Sequence, residues 1–292
     1  MMPVSRLLAL CLLTMLALAR PALAADAPPQ ERYLIIGSYL AEIVVALGAT
    51  DQVVGVSGGT DHVPELAGVP VIPGFRNLSA ESMLSLEPTI ALLAGRQTRP
   101  EIITQLEAAG VEVHFFSDDL ATLDVVKERV REVGELLRRE QEAAALVARF
   151  EADLADALAF VAQASSRPRG LFILSGGGRP TVVAGADTHI ALLIELAGAQ
   201  NLTTDMTDYK PMSQEAMLAA APDFILVNVE GLEQRGDQPV ALSAPGATLT
   251  PAARDGRVFA IPNGYLQGLG INSPQAIREI AKRVHPELAQ EP

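Results

Sequence analysis

The chain has 292 residues, 49% of them apolar, 4% aromatic and 20% charged, and carries a formal net charge of −13. That balance excludes a disordered chain, a collagen-like repeat and a coiled coil, and it leaves length enough for two compact lobes, each with its own core. The acidic surface also disfavours binding to nucleic-acid phosphates or to anionic lipid.

Residues 1–24 read as a secretory signal peptide. Arg6 gives a positive start, Leu7–Ala19 is an apolar run, and Ala22-Leu23-Ala24 supplies small residues before Ala25-Asp26. No other stretch is long and apolar enough to span a membrane, so no stable insertion is expected. Cys11, the only cysteine, lies in the leader behind Leu10, which argues against lipid attachment. Removing the leader, with its two arginines (Arg6, Arg20) and no acid, takes the remaining body from −13 to −15. An exported body without cysteine points to the bacterial periplasm.

Tyr33–Gly37 is a strand-like run leading into a helix over Ser38–Gly48. In that helix Leu40, Ile43, Val44 and Leu47 recur at helical spacing. Val53–Val56, Thr89–Leu93 and Val111–Phe116 read as further strands, with helical segments near Ser79–Leu86 and Pro100–Ala109. This alternation predicts a largely parallel sheet covered on both faces. From Leu120 to Ala164 there is no proline and a single glycine, Gly134. Two apolar series at three- and four-residue spacing, divided at Arg138-Arg139-Glu140, predict a lobe-capping helix and then a helix of roughly 25 residues, about 37 Å long. After Ser165–Pro168 the alternation resumes, with strands over Gly170–Leu174, Thr181–Ala184, Phe224–Val227 and Arg257–Ile261.

An internal repeat is the most informative feature. Phe75-Arg76-Asn77-Leu78-Ser79-Ala80-Glu81 precedes Ser82-Met83-Leu84 and the run Pro88–Leu93; the same order of residue types returns 134 residues later. There it reads Tyr209-Lys210-Pro211-Met212-Ser213-Gln214-Glu215, then Ala216-Met217-Leu218 and Pro222–Val227. Ser79 and Ser213 suit helix N-caps, with Glu81 and Glu215 in the first turn, where the helix dipole favours an anion. Two copies in register on either side of a long helix imply two homologous lobes. The expected organisation is an N-terminal α/β lobe over 31–137, a linker helix over 138–166 and a C-terminal α/β lobe over 167–290.

Gly37…Glu42-Ile43…Ala46-Leu47-Gly48-Ala49, Val53–Val56, Leu78–Glu81…Pro88-Thr89, Tyr209–Ser213…Glu215 and Ala220–Asp223 together resemble the substrate-binding proteins of ABC importers for haem, cobalamin and ferric siderophores, above all the periplasmic haemin-binding proteins. The resemblance implies two Rossmann-like lobes joined by one long α-helix, with a ligand cleft between them and only modest hinge closure. It implies a monomer with no intrinsic cofactor, whose transported ligand is haem or a related iron or corrinoid chelate. It also implies that Glu81 and Glu215 dock on arginines of the permease.

In doubly wound sheets ligands meet the loops at the C-terminal strand ends. Those loops hold Tyr39, His62, Phe75, Arg76, Arg96, Arg99, Tyr209, Lys210 and Tyr265. Haem needs an apolar wall, an axial ligand, and cations or amides for its propionates. Phe75, Leu266 and Leu269 are candidates for the wall, and Arg76, Arg96, Arg99 or Lys210 for the cations. Haemin-binding relatives commonly carry an iron-ligating tyrosine in a Gly-Tyr-x-Arg-x-Leu-Ser-x-Glu stretch, but here that place is Gly74. Relatives also often have an arginine near the last Gly-x-Gly, where this chain reads Gly268-Leu269-Gly270-Ile271-Asn272. The candidates for a displaced axial ligand are Tyr39 and His62, then Tyr209; the alternative is a different chelate, a ferric siderophore or cobalamin. Four scattered histidines argue against a free zinc or manganese carrier. No Gly-x-Ser-x-Gly, His-Glu-x-x-His or phosphate-loop motif supports an enzyme.

Overall fold

A computed structural model of the chain describes residues 31–72, 78–95, 98–116, 122–176, 179–236 and 238–289. The leader with Cys11, and the candidates Phe75, Arg76 and Arg96 together with Gly74, lie outside the described residues.

The first lobe is built from β1 (Tyr33–Ile36), α1 (Ser38–Ala46), β2 (Val53–Ser57), β3 (Val71–Ile72), α2 (Ala80–Leu84), β4 (Ile90–Ala94), α3 (Pro100–Ala108) and β5 (Glu112–Phe116). Its sheet has the order β3-β2-β1-β4-β5 and every pairing is parallel. Such a sheet must be covered on both faces, which is why β1 and β4 are apolar throughout rather than alternating. The two-residue strand period divides them cleanly. Tyr33, Ile35, Leu92 and Ala94 face one core with α1, whereas Leu34, Ile36, Ala91 and Leu93 face the other with α2 and α3.

Two helices follow, α4 (Asp124–Leu136) and α5 (Glu140–Val161). Arg138 turns the chain between them with φ 54°. At 22 residues α5 is about 33 Å long. Neither helix belongs to one lobe alone. Val130 and Val133 of α4 and Leu146 and Val147 of α5 join the first-lobe core. Val126 of α4 and Phe150, Ala157 and Phe160 of α5 join the core of the second. The connection is therefore a helical hairpin whose two rods are each anchored at both ends.

The second lobe comprises β6 (Arg169–Gly176), β7 (Arg179–Ala184), α6 (His189–Leu196), β8 (Gln200–Asn201), β9 (Tyr209–Lys210), α7 (Gln214–Ala220), β10 (Phe224–Asn228), the small pair β11 (Gln234–Arg235) and β12 (Gln238–Pro239), α8 (Pro251–Arg254), β13 (Val258–Ile261) and α9 (Ser273–Val284). The sheet order is β13-β10-β6-β7-β9, with β8 also on β6. One strand departs from the parallel arrangement: β7 runs antiparallel to both β6 and β9. Only residues 177–178 separate β6 from β7, and a parallel crossover needs a dozen residues or more. Otherwise the lobes correspond. β4 lies between β1 and β5 as β10 lies between β6 and β13, and α2 leads into β4 as α7 leads into β10. Both repeat caps form: Ser79 Oγ accepts from the Ser82 amide and Ser213 Oγ from the Ala216 amide, each at 3.2 Å.

Candidate functional site

The loops after β1 and β2 are fastened to one another. The Gly37 amide donates to Ser57 Oγ at 3.0 Å, and Ser38 Oγ donates to the Gly59 carbonyl at 3.0 Å. Over them lies the segment that follows β13, residues 262–272. A Cβ placed on Gly264 would stand 2.7 Å from the His62 ring, and one on Gly59 would stand 2.6 Å from Gln267 Oε1. The C-terminal strand ends of the two lobes therefore meet in one seam.

A buried polar constellation occupies that seam. Glu42, on the otherwise apolar α1, is only 6% exposed. Its Oε1 lies 2.6 Å from His62 Nε2, and its Oε2 accepts from Asn272 Nδ2 of the second lobe at 3.1 Å. That Glu42 contact, opposed by burial and helped by the Gly59 carbonyl and Asp61, raises the imidazole pKa above its ordinary value. Arg129 of α4, 3% exposed, donates from Nη1 to the Leu269 carbonyl at 3.1 Å. Its guanidinium also stacks 4.3 Å from the centroid of the Tyr39 ring. Tyr39 is itself 3% exposed. Close approach requires glycine opposite: a Cβ on Gly268, where φ is +119°, would come within 2.9 Å of Tyr39 Cδ1, and one on Gly270 within 2.8 Å of Glu42 Oε2.

Tyr39, His62 and Tyr265 are thus gathered at one seam. Tyr265 is half-buried, and burial first, then Glu279 and Glu42, push its phenol up. Tyr209 and Lys210 stand elsewhere. They form β9, four strand spacings (about 19 Å) from β13 across the sheet. There Tyr209 packs on the second-lobe core and Lys210 Nζ donates to Thr207 Oγ1 at 3.0 Å. Arg99 precedes α3, is exposed, and reaches the Leu78 carbonyl at 3.4 Å. Glu81 and Glu215 are exposed in the first turns of α2 and α7. The Glu215 carboxyl is held below its ordinary pKa by its own backbone amide and by the Ser213 hydroxyl.

Sequence reasoning missed Arg129 and Asn272 and gave Glu42 no role at the seam. A signal existed for two of them, since Glu42 interrupts an apolar helix face and Arg129 lies on the Val126–Val130–Val133 stripe. It also missed the polar lock at the second lobe's strand ends. Asn228 exchanges hydrogen bonds with the Ser175 backbone at 3.0 and 2.8 Å, while Glu230 accepts from Asn228 at 2.6 Å and from Asn263 at 2.8 Å. This ties β6, β10 and β13 together at the ends that face the cleft.

Two α/β sheets with strand ends converging on a seam, braced by long helices, define a bilobal substrate-binding protein. Residues 35–265 match the model of a periplasmic binding protein family, and the chain belongs to that family. The periplasmic heme-binding protein BhuT in complex with two hemes is 33% identical, with a TM-score of 0.81 covering 88% of this chain and 99% of that one. The periplasmic heme-binding protein RhuT from Roseiflexus sp. RS-1 in apo form is also 33% identical, with a TM-score of 0.82 covering 89% and 100%. A vitamin B12-binding protein of Pectobacterium atrosepticum is 26% identical over 223 residues, 75% of this chain and 77% of that protein. The chain is a substrate-binding protein of an ABC importer, a transport component and not an enzyme. No helix among the described residues is long and apolar enough to cross a membrane.

Proposed function

We propose that this protein captures haem in the periplasm and delivers it to an inner-membrane ABC permease. The observation that carries the reading is the full-length likeness to two heme-binding proteins at 33% identity, against 26% over a shorter span for the B12-binding relative. Haem would lie in the seam between the lobes, with the lobe-surface carboxylates Glu81 and Glu215 reporting lobe spacing to permease arginines. Residues 1–24 would act as the export signal.

The axial ligand is the open choice within this reading. His62 would ligate through Nδ1 with Nε2 kept on Glu42 Oε1, or through Nε2 with that contact broken, and Tyr39 would ligate through its phenol oxygen, which leaves its ring free to stay on the face of Arg129. Phe75, Arg76, Arg96 and Arg99 would contribute wall and propionate contacts. Titration of the mature protein with haemin, cobalamin and a ferric hydroxamate tests the cargo: a saturable Soret shift at fixed stoichiometry with haemin alone is expected. Tight cobalamin or siderophore uptake with no haemin spectrum would replace haem by that chelate. An unaltered haem spectrum in both Tyr39→Phe and His62→Ala would remove those two residues as ligands.

A further inference from the structure

The buried polar contacts at the seam join residues far apart in the chain, Glu42 and Asn272 across the lobes and Arg129 of the connecting helix α4 to the second lobe, and each is placed where a purely local role would not put it. Asn272 occupies the N-cap position of α9, a site at which an asparagine side chain ordinarily accepts from its own helix. It makes no such bond, and its amide is turned instead to Glu42 Oε2 on α1, 230 positions away in sequence. Arg129 is a buried cation on a helix face that otherwise carries valines, and its Nη1 serves the Leu269 carbonyl, 140 positions away. Between these two bonds Ile271 packs against both cores. Burying a carboxylate and a guanidinium costs free energy unless each is paired, so these pairs hold only while segment 268–272 stays seated on α1 and α4.

We infer that Glu42, Asn272, Arg129 and the Leu269 carbonyl form an interlobe clasp that fixes the closed spacing of the two lobes, acting as positioning residues for cargo retention. Asn272 and Ile271 line one cavity with Leu146, Arg149 and Phe150 of α5, the helix that joins the lobes. Glu81 and Glu215 stand exposed, one on each lobe, and the clasp sets the distance between them. The inference rests on the substrate-binding reading of the fold but not on which chelate is carried.

The absence of cysteine after residue 24 allows a direct measurement. Spin labels on the exposed positions Ser85→Cys and Ala219→Cys, one on each lobe, report the interlobe distance by pulsed electron resonance. In the parent a single narrow distribution is expected. In Asn272→Leu, which keeps the number and branching of the side-chain heavy atoms and removes the amide donor, the distribution moves to longer distance and broadens. Asn272→Gln, which restores a donor, returns it towards the parent. Haemin dissociation from Asn272→Leu accelerates about tenfold, the effect of one lost charge-assisted hydrogen bond. Circular dichroism of each variant establishes that the fold is intact, and should Asn272→Leu fail to fold, Glu42→Gln, which keeps an acceptor but removes the charge, provides the comparison. An unchanged distance distribution in a folded clasp variant overturns the inference. If haemin binds neither protein, the cargo reading fails while the distance measurement still decides the clasp.

Discussion

The glycines at the seam permit a prediction in which conformation and space are separated. Gly268 and Gly256 both have positive φ, at +119° and +66°. Around Gly256 a Cβ would meet nothing within 4 Å, whereas at Gly268 it would press to 2.9 and 3.3 Å on the Tyr39 ring. Gly256→Ala therefore pays only the backbone penalty of an L-residue in this region, about 1–2 kcal/mol. Gly268→Ala costs more than that in backbone strain, because +119° lies outside the left-handed well that +66° occupies, and it adds overpacking against a ring that cannot retreat, because Tyr39 is buried and backed by Arg129. That second cost is about 1–3 kcal/mol. For a body of this size each kcal/mol lowers Tm by about 2–4 °C. Thermal melts followed by far-ultraviolet circular dichroism should place Gly268→Ala below Gly256→Ala by about 2–12 °C from overpacking alone. Gly268→Ala should also lengthen the interlobe distance, which Gly256→Ala leaves alone. Equal melting temperatures for the two variants would refute the packed seam from which the functional site was built.

Other expectations follow from single contacts. Ser79→Ala and Ser213→Ala each remove a helix N-cap and should each cost about 1 kcal/mol in urea titrations, additively because they lie on different lobes. Phe172→Ala, in the second-lobe core and 1% exposed, should cost about 3–5 kcal/mol by the same assay. The Glu287 carboxylate accepts from its own backbone amide, from the Ser166 hydroxyl at 2.9 Å and from the Ser165 amide at 3.1 Å, which lowers its pKa from 4.5 to about 2. Its stabilising effect is therefore complete above pH 4.5 and lost as pH falls from there towards 2, and Glu287→Gln should flatten that part of the stability–pH curve. Reversing Glu81 and Glu215 to arginine should abolish importer-dependent uptake while leaving the haemin titration unchanged, a result measured with the permease in vesicles.

Much of the framework was legible because burial on both faces leaves a plain mark. Leu34–Ile36 and Ile90–Ala94 are apolar without interruption, and only a covered parallel strand makes use of such runs. The repeat gave the two caps and the two lobes, since a serine before an acidic first turn has a mechanism as well as a pattern. The antiparallel return of β7 was less visible, because direction is decided by the length of a connection and not by the composition of the strand. His189 begins α6, as its place after Thr188 suggests, and His114 lies on the edge strand β5. His285, close to the end of the chain in sequence, is fully buried, with Nε2 2.9 Å from the Ala197 carbonyl. Nothing local distinguishes it, since its partner is 88 positions away.

The seam shows why site chemistry is harder to read than fold. Gly268-Leu269-Gly270 drew attention for the arginine that relatives carry nearby, and His62 for its capacity to bind iron. Their neighbours supply a different physical account: the glycines admit Tyr39 and Glu42, and His62 is held by a carboxylate whose other oxygen belongs to a contact with the opposite lobe. A one-dimensional pattern records what each lobe does for itself, through periodicity and capping. What one lobe does to the other is carried by single residues, a glutamate inside an apolar helix and an arginine on a valine stripe. Each breaks its local pattern because its partner lies more than a hundred residues away. Local misfits of this kind are the marks by which cross-lobe chemistry can be sought in a sequence. Here they converge on the surface where cargo is expected to bind.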